Sequence, residues 1–233
     1  MKRRVRTPVK HLKRIGALRN EKRTITRFAD ELGLVYFGSV SQYDDEHRLV
    51  RGMTLSPRHR DAHYCIGTYE NYDVVYVKRT DSLRTQGDKQ KAHTWHIMAF
   101  DLHASSELPH MFIGLPSHSE EFYMQFFTKF PTMRHLSLGH LGEYPPAFVA
   151  GCRLYANPRV VLEVERIVTP KVAGIIATHF KGLAFEVVDN TLLVYAEHAR
   201  LSGELLETIL KNGRWLAESL DRAATASSAS VED

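Results

Sequence analysis

The stretch His59-Arg60-Asp61-Ala62-His63-Tyr64-Cys65 sets two imidazoles, a carboxylate and a thiol at every second position. In an extended chain alternate side chains share a face, spaced about 6.6–7 Å per two residues. His59, Asp61, His63 and Cys65 are therefore expected on one face of a strand. A second stretch repeats the pattern: His93, Trp95, Ile97, Ala99, Asp101 and His103 alternate along residues 93–103. Seven of the 13 histidines fall within residues 59–118, His110 and His118 among them.

Three kinds of chemistry fit these residues. If the two faces meet, His59, Asp61, His63, His93 and His103 supply the nitrogen and oxygen ligands that zinc or another transition metal prefers. No C-x-x-C spacing accompanies them, so the metal reading rests on strand pairing alone. Alternatively, Cys65 or Cys152 could act as a nucleophile beside a histidine. Finally, a histidine such as His63 could serve as general base with Asp61 or Asp101 orienting it. The plain alternative is that His63 and Cys65 are half-buried sheet residues and the other histidines a solvated, pH-responsive surface. No cofactor is expected unless the histidines bind a metal.

Charge supplies a separate signal. Residues 1–27 hold eleven Lys and Arg, from Lys2, Arg3, Arg4, Arg6, Lys10, Lys13 and Arg14 through Arg27, against the single acid Glu21. The remaining residues hold 20 bases and 26 acids, so a basic arm precedes a mildly acidic body. Such an arm suits an anionic membrane surface or an acidic partner. Nucleic acid is the alternative polyanion: Arg58, Arg60, Lys78, Arg79, Arg84, Lys89 and Lys91 interleave with Tyr64, Tyr69, Tyr72 and Tyr76. No helix-turn-helix, RRM or KH signature accompanies them.

The elements that must carry these residues follow from periodicity. Val9, Leu12, Ile15, Leu18, Ile25, Phe28, Ala29 and Leu32 predict a basic amphipathic helix ended by Gly33. Strands are expected over Val35–Ser41, Arg48–Leu55, Ala62–Tyr69, Tyr72–Thr80, Thr94–Leu102 and Met111–Leu115. Glu70-Asn71 should form a hairpin turn in which the Asn accepts positive φ. The polar run Ser82–Ala92 reads as a loop. Glu120–Phe130, capped by Ser117, reads as an aromatic helix with Phe122, Phe126 and Phe130 on its core face.

After the Gly- and Pro-rich residues 139–147, Phe148–Tyr155 reads as a strand. Asn157-Pro158 and Thr169-Pro170 read as helix starts, a hairpin turns at Asp189-Asn190, and Glu204–Arg222 forms the last helix. The tail from Ala223 to Asp233 should be disordered.

Hairpins with helices inserted and appended define an α+β fold, mainly antiparallel, of curled sheet built from hairpins. The organisation is a basic arm and helix over 1–33, a β-rich core over 34–145, a C-terminal strand–helix–helix–hairpin–helix module over 146–222, and the tail 223–233. No G-x-G-x-x-G, P-loop, H-E-x-x-H or G-x-S-x-G is present. No apolar run reaches the roughly 18–20 residues of a membrane span. The basic N-terminus lacks the apolar region of a signal peptide.

Residues 153–222 resemble the C-terminal part of some bacterial families of unknown function. The resemblance is carried by RLYANPRVVLEVERIVTP, then VVDNTLLVY, then the closing amphipathic helix. It implies a fold shape and brings no catalytic residue. Members often carry membrane-spanning segments, which this chain departs from.

With two cysteines and no spanning segment, a cytoplasmic protein is expected, peripheral at the inner membrane face if the arm docks there. Pairing of Cys65 with Cys152 and homo-oligomer formation stay open. The sequence favours a non-catalytic interaction or adaptor protein that uses residues 1–27. A histidine-based or metal-dependent, hydrolase-like enzyme and a nucleic-acid-binding protein are the alternatives.

Overall fold

A computed structural model describes residues 8–39, 50, 52, 59–84, 90–197 and 201–229. Among these, nine strands form one open antiparallel sheet: β1 (Val35–Phe37), β2 (Arg60–Tyr69), β3 (Tyr72–Arg84), β4 (Gln90–Asp101), β5 (Met111–Gly114), β6 (Arg134–His135), β7 (Arg153–Ala156), β8 (Leu183–Val188) and β9 (Thr191–Glu197). Their order is β1-β2-β3-β4-β9-β8-β5-β7-β6. The α-helices are α1 (Pro8–Leu32), α2 (Glu120–Met124), α3 (Pro146–Gly151), α4 (Val161–Ile167), α5 (Pro170–His179) and α6 (Gly203–Ala229). This is the α+β class that the hairpin-rich pattern predicts. The two edges are the short strands β1 and β6, which limits the unpaired backbone offered to other chains.

Each sheet face carries its own core. On one face α1, α3, α4, α5 and α6 pack Ile25, Phe28, Phe148, Ile167, Ile176, Leu206 and Leu216 onto Tyr76, Met98, Phe100, Phe185 and Val194. On the other, Tyr123, Phe126 and Phe127 cover Val75, Val77, Trp95, Ile97, Phe112, Tyr155 and Tyr195. Alternation assigns the faces: along β3 the residues Val74 and Tyr76 join the first core, while Val75 and Val77 join the second.

Several local expectations hold for their stated reasons. Asp189 and Asn190 both take positive φ, 48° and 54°, as a two-residue hairpin requires. Asn157 caps the turn at Pro158, and Thr169 caps α5, accepting bonds from Arg159 N at 3.0 Å and Val172 N at 3.3 Å.

Others are corrected. Residues 146–151 are helical, because Pro145-Pro146 starts a turn that drops Phe148 into the core; the strand begins only at Arg153. Of the polar run Ser82–Ala92, expected as a loop, residues 82–84 and 90–92 are strand, since β3 reaches Arg84 and β4 starts at Gln90: cross-strand pairing overrides local polarity; residues 85–89 lie outside the described residues. The aromatic segment breaks into α2 and a 3-10 turn over Phe127–Lys129, and its cap is Ser119, not Ser117. The left-handed residue of the β2–β3 turn is Glu70, not Asn71. The last helix continues through Ala223 to Ala229, with Ala224 buried, where the tail was expected to lose structure. Of the strand expected over Arg48–Leu55 only Val50 and Gly52 are described, both buried in turn-like backbone.

Candidate functional site

The first seven-residue pattern does not share one face. Register runs Arg60↔Thr80, Asp61↔Arg79, Ala62↔Lys78 and then jumps to Cys65↔Tyr76. Two residues of β2, His63 and Tyr64, thus oppose the single residue Val77. His63 takes φ 60°, which makes this a β-bulge. The extra residue reverses the alternation. Asp61 and His59 stay on the face of the second core, with His59 Nε2 at 3.8 Å from Asp61 Oδ2. Cys65 belongs to the first core, under α1. His63 is on the α1 side as well, its Nδ1 at 2.8 Å from Tyr36 Oη.

The second pattern also separates. β3 lies between β2 and β4, so the two stretches are not neighbours. His93 sits on the second-core face among Trp95, His118 and Phe122. His103 lies beyond the far end of β4, roughly 30 Å along the strand direction, stacked on Tyr72 with centroids 5.0 Å apart. Asp101 is partly buried opposite Thr191. Among the described residues no group of three or more His, Cys, Asp and Glu is arranged so that it could hold a metal ion.

The thiols lack nucleophile character. Both cysteines are free. Burial, with Asp30 adding to it, pushes Cys65 up to about 12, and burial pushes Cys152 up to about 11, so both are protonated near neutrality.

The second-core face instead carries a buried polar array. Arg79, 0% exposed, donates from Nε to Asp61 Oδ1 at 2.8 Å and from Nη2 to Asp61 Oδ2 at 2.7 Å and to the Val50 carbonyl at 2.8 Å. Burial alone would raise the Asp61 carboxyl; the Arg79 bonds and charge outweigh it and hold it below its ordinary value. Tyr195 donates to Glu186 Oε2 at 2.6 Å, and His110 meets Glu186 Oε1 at 2.9 Å.

Glu197, at the end of β9, joins two histidines. His118 Nε2 lies 2.7 Å from Oε2 and His93 Nδ1 3.0 Å from Oε1. These bonds hold the Glu197 carboxyl well below its usual range. His93, 8% exposed, is left with a buried Nε2 that meets no hydrogen-bond partner among the described residues, and the same is true of Trp95 Nε1. The sequence reading passed over Glu197, Asp81 and the role of His118. Alternation along β3 places Asp81 on the face of Arg79; nothing local brings residue 197 beside residue 93.

On the opposite side, the described part of α1 presents its charge outward. Ile25, Phe28 and Ala29 are buried, whereas Arg19, Lys22, Arg23 and Arg27 are exposed. With Thr26 and Asp30 they line one shallow groove. Arg27 bonds Glu31 at 2.9 Å, and Lys22 lies 5.7 Å from the Tyr36 ring centroid. Arg19 and Arg23 have no acidic partner among the described residues. Lys10, Lys13 and Arg14 lie on the α1 backbone; Lys2, Arg3, Arg4 and Arg6 fall outside the described residues. No described helix is long and apolar enough to cross a membrane.

The fold and these sites define an α+β protein with an open antiparallel sheet, a basic helix on one face and a histidine–carboxylate array on the other. No family model, curated protein or solved structure matches the chain.

Proposed function

We propose that the chain is a non-catalytic interaction protein that docks through its basic N-terminal segment onto an anionic lipid surface, on the cytoplasmic side of a membrane. The observation that carries this reading is the exposed row Arg19, Lys22, Arg23 and Arg27 on α1, whose opposite side is spent on the core. Arg19, Lys22 and Arg23 form no ion pair with a described acid, and Arg27 shares its charge only with the exposed Glu31. Leu18, 50% exposed on the same helix, adds an apolar point of the kind interfacial helices insert. Two free thiols suit a reducing compartment, and attachment would be peripheral.

Co-sedimentation of the full chain with phosphatidylcholine vesicles, with and without phosphatidylserine, tests it. Binding should require the anionic lipid and fade in high salt. At about 1 kcal/mol per basic residue near the surface, Arg19→Gln with Arg23→Gln should weaken it roughly 30-fold. Equal binding to neutral vesicles, or tighter binding to an oligonucleotide than to the anionic vesicles, would overturn the reading.

A further inference from the structure

The cations on the outer side of α1 form a closed set with one hydroxyl. Arg19, Lys22, Arg23 and Thr26 line the same groove. They are spaced by three and four, so each has two of the others as helix-surface neighbours, with Cβ atoms about 5–6 Å apart. Arg19, Lys22 and Arg23 meet no acid among the described residues. Glu21, beside them in sequence, is bonded to Lys78 of β3 at 2.5 Å, and residues 1–18 contain no Asp or Glu. Arg27 is shared with Glu31 at 2.9 Å, and Asp30 lies at the far end of the groove. The excess of positive charge is therefore confined to the end formed by Arg19, Lys22, Arg23 and Thr26.

Two further observations point to an anionic ligand. First, a threonine inside a helix commonly bonds the carbonyl four residues before it. Thr24, Thr178, Thr208 and Thr225 do so, to Asn20, Gly174, Glu204 and Asp221 at 3.0, 2.8, 2.7 and 3.0 Å. Thr26, half-buried among the cations, makes no such bond among the described residues, and its hydroxyl is left for the groove. Second, like charges three and four apart on a helix repel one another. Lys22 is nevertheless held in place 5.7 Å from the Tyr36 ring centroid, so the set stays together. A bound anion relieves that repulsion.

We propose that Arg19, Lys22, Arg23 and Thr26 bind the phosphomonoester headgroup of an anionic lipid of the phosphatidic acid type; this rests on the membrane-docking reading above and names the headgroup. The phosphodiester of phosphatidylserine offers two free phosphate oxygens and a single charge at the phosphorus. A phosphomonoester offers three and a charge of about −1.5 to −2. Two guanidinium forks, an ammonium and a hydroxyl donate more bonds than a diester can accept, and they match a monoester. Leu18, 50% exposed and one helical turn before Lys22, sets apolar surface beside the phosphate. That favours a headgroup carried in a bilayer over a free phosphate ester.

The test uses the full chain and phosphatidylcholine vesicles carrying either phosphatidic acid or phosphatidylserine, adjusted to the same zeta potential. Binding to the phosphatidic acid vesicles should be at least about tenfold tighter. Thr26→Val keeps charge and β-branching; it should remove most of that preference and leave phosphatidylserine binding unchanged. Arg19→Lys with Arg23→Lys should do the same, because charge is kept and both forks are lost. Soluble glycerol 3-phosphate, titrated alone, should bind far more weakly than the phosphatidic acid vesicles. Equal affinity for the two anionic lipids, or a preference undiminished in Thr26→Val or in the double variant, overturns the headgroup inference and leaves the docking reading standing. Glycerol 3-phosphate binding as tightly as the phosphatidic acid vesicles would make a free phosphate ester the ligand and overturn it too. A chain that binds neither anionic vesicle overturns both readings.

Discussion

Tyr36 Oη and His63 Nδ1 lie 2.8 Å apart, a bond made on the α1 side of the sheet, while Asp61, two residues before His63, works on the other side. The bulge at His63 is what divides them. Its positive φ disfavours β-branched side chains strongly. His63→Val should therefore cost about 2 kcal/mol, seen as an earlier urea midpoint. His63→Gly relaxes the backbone but gives up Tyr36, so it should lie closer to the native chain. A His63→Val protein as stable as the native one would mean that the bulge can migrate.

The Asp61–Arg79 pair is buried and bidentate. Asp61→Asn takes from the buried guanidinium its bidentate carboxylate and should destabilise by about 3–5 kcal/mol. Replacing both, as Asp61→Leu with Arg79→Met, should cost less than the single change. Equilibrium urea unfolding of the three variants decides; a double variant worse than Asp61→Asn would mean the pair stabilises beyond its charge balance.

Glu165 is a buried clamp on the 139–141 turn. Oε1 accepts from Gly139 N at 2.8 Å, His140 N at 3.1 Å and His140 Nδ1 at 2.8 Å, and Oε2 accepts from Leu141 N at 2.7 Å. Burial would raise this carboxyl, but the His140 side chain and the backbone N–H groups outweigh burial and bring it from 4.5 down to about 2. Because the folded value is the lower one, its stabilisation is present above the unfolded value and is lost as pH falls from 4.5 towards 2. Glu165→Gln should cost about 2 kcal/mol at neutral pH. Its stability should also fall less steeply than that of the native chain across that acid window, as thermal melts at stepped pH would show. Parallel pH profiles would contradict the clamp.

Gly213 looks like a weak point of α6, since Gly in a helix costs up to about 1 kcal/mol relative to Ala. Its environment reverses that reasoning. A Cβ here would collide with the Phe100 ring and come within 3.2 Å of Val194 Cγ2. Gly213→Ala should therefore destabilise by about 1–3 kcal/mol through overpacking. A higher melting temperature for Gly213→Ala would show that the helix can shift away from β4.

The sequence by itself determined the class of fold, the basic helix and most turns, because these depend on period, capping and φ preference within a few residues. Asp189-Asn190, Thr169-Pro170 and the stripe ending at Ile25, Phe28 and Ala29 are all of this local kind. Only tertiary structure decided which chemistry-bearing residues meet. A strand's period of two extends only until a bulge, and the one at His63 sends Cys65 to the face opposite Asp61. Register between strands distant in sequence brought Glu197 to His93 and set Asp81 opposite His93. Pairing of that kind is fixed by how whole strands bury their apolar faces, a property no short stretch of sequence contains.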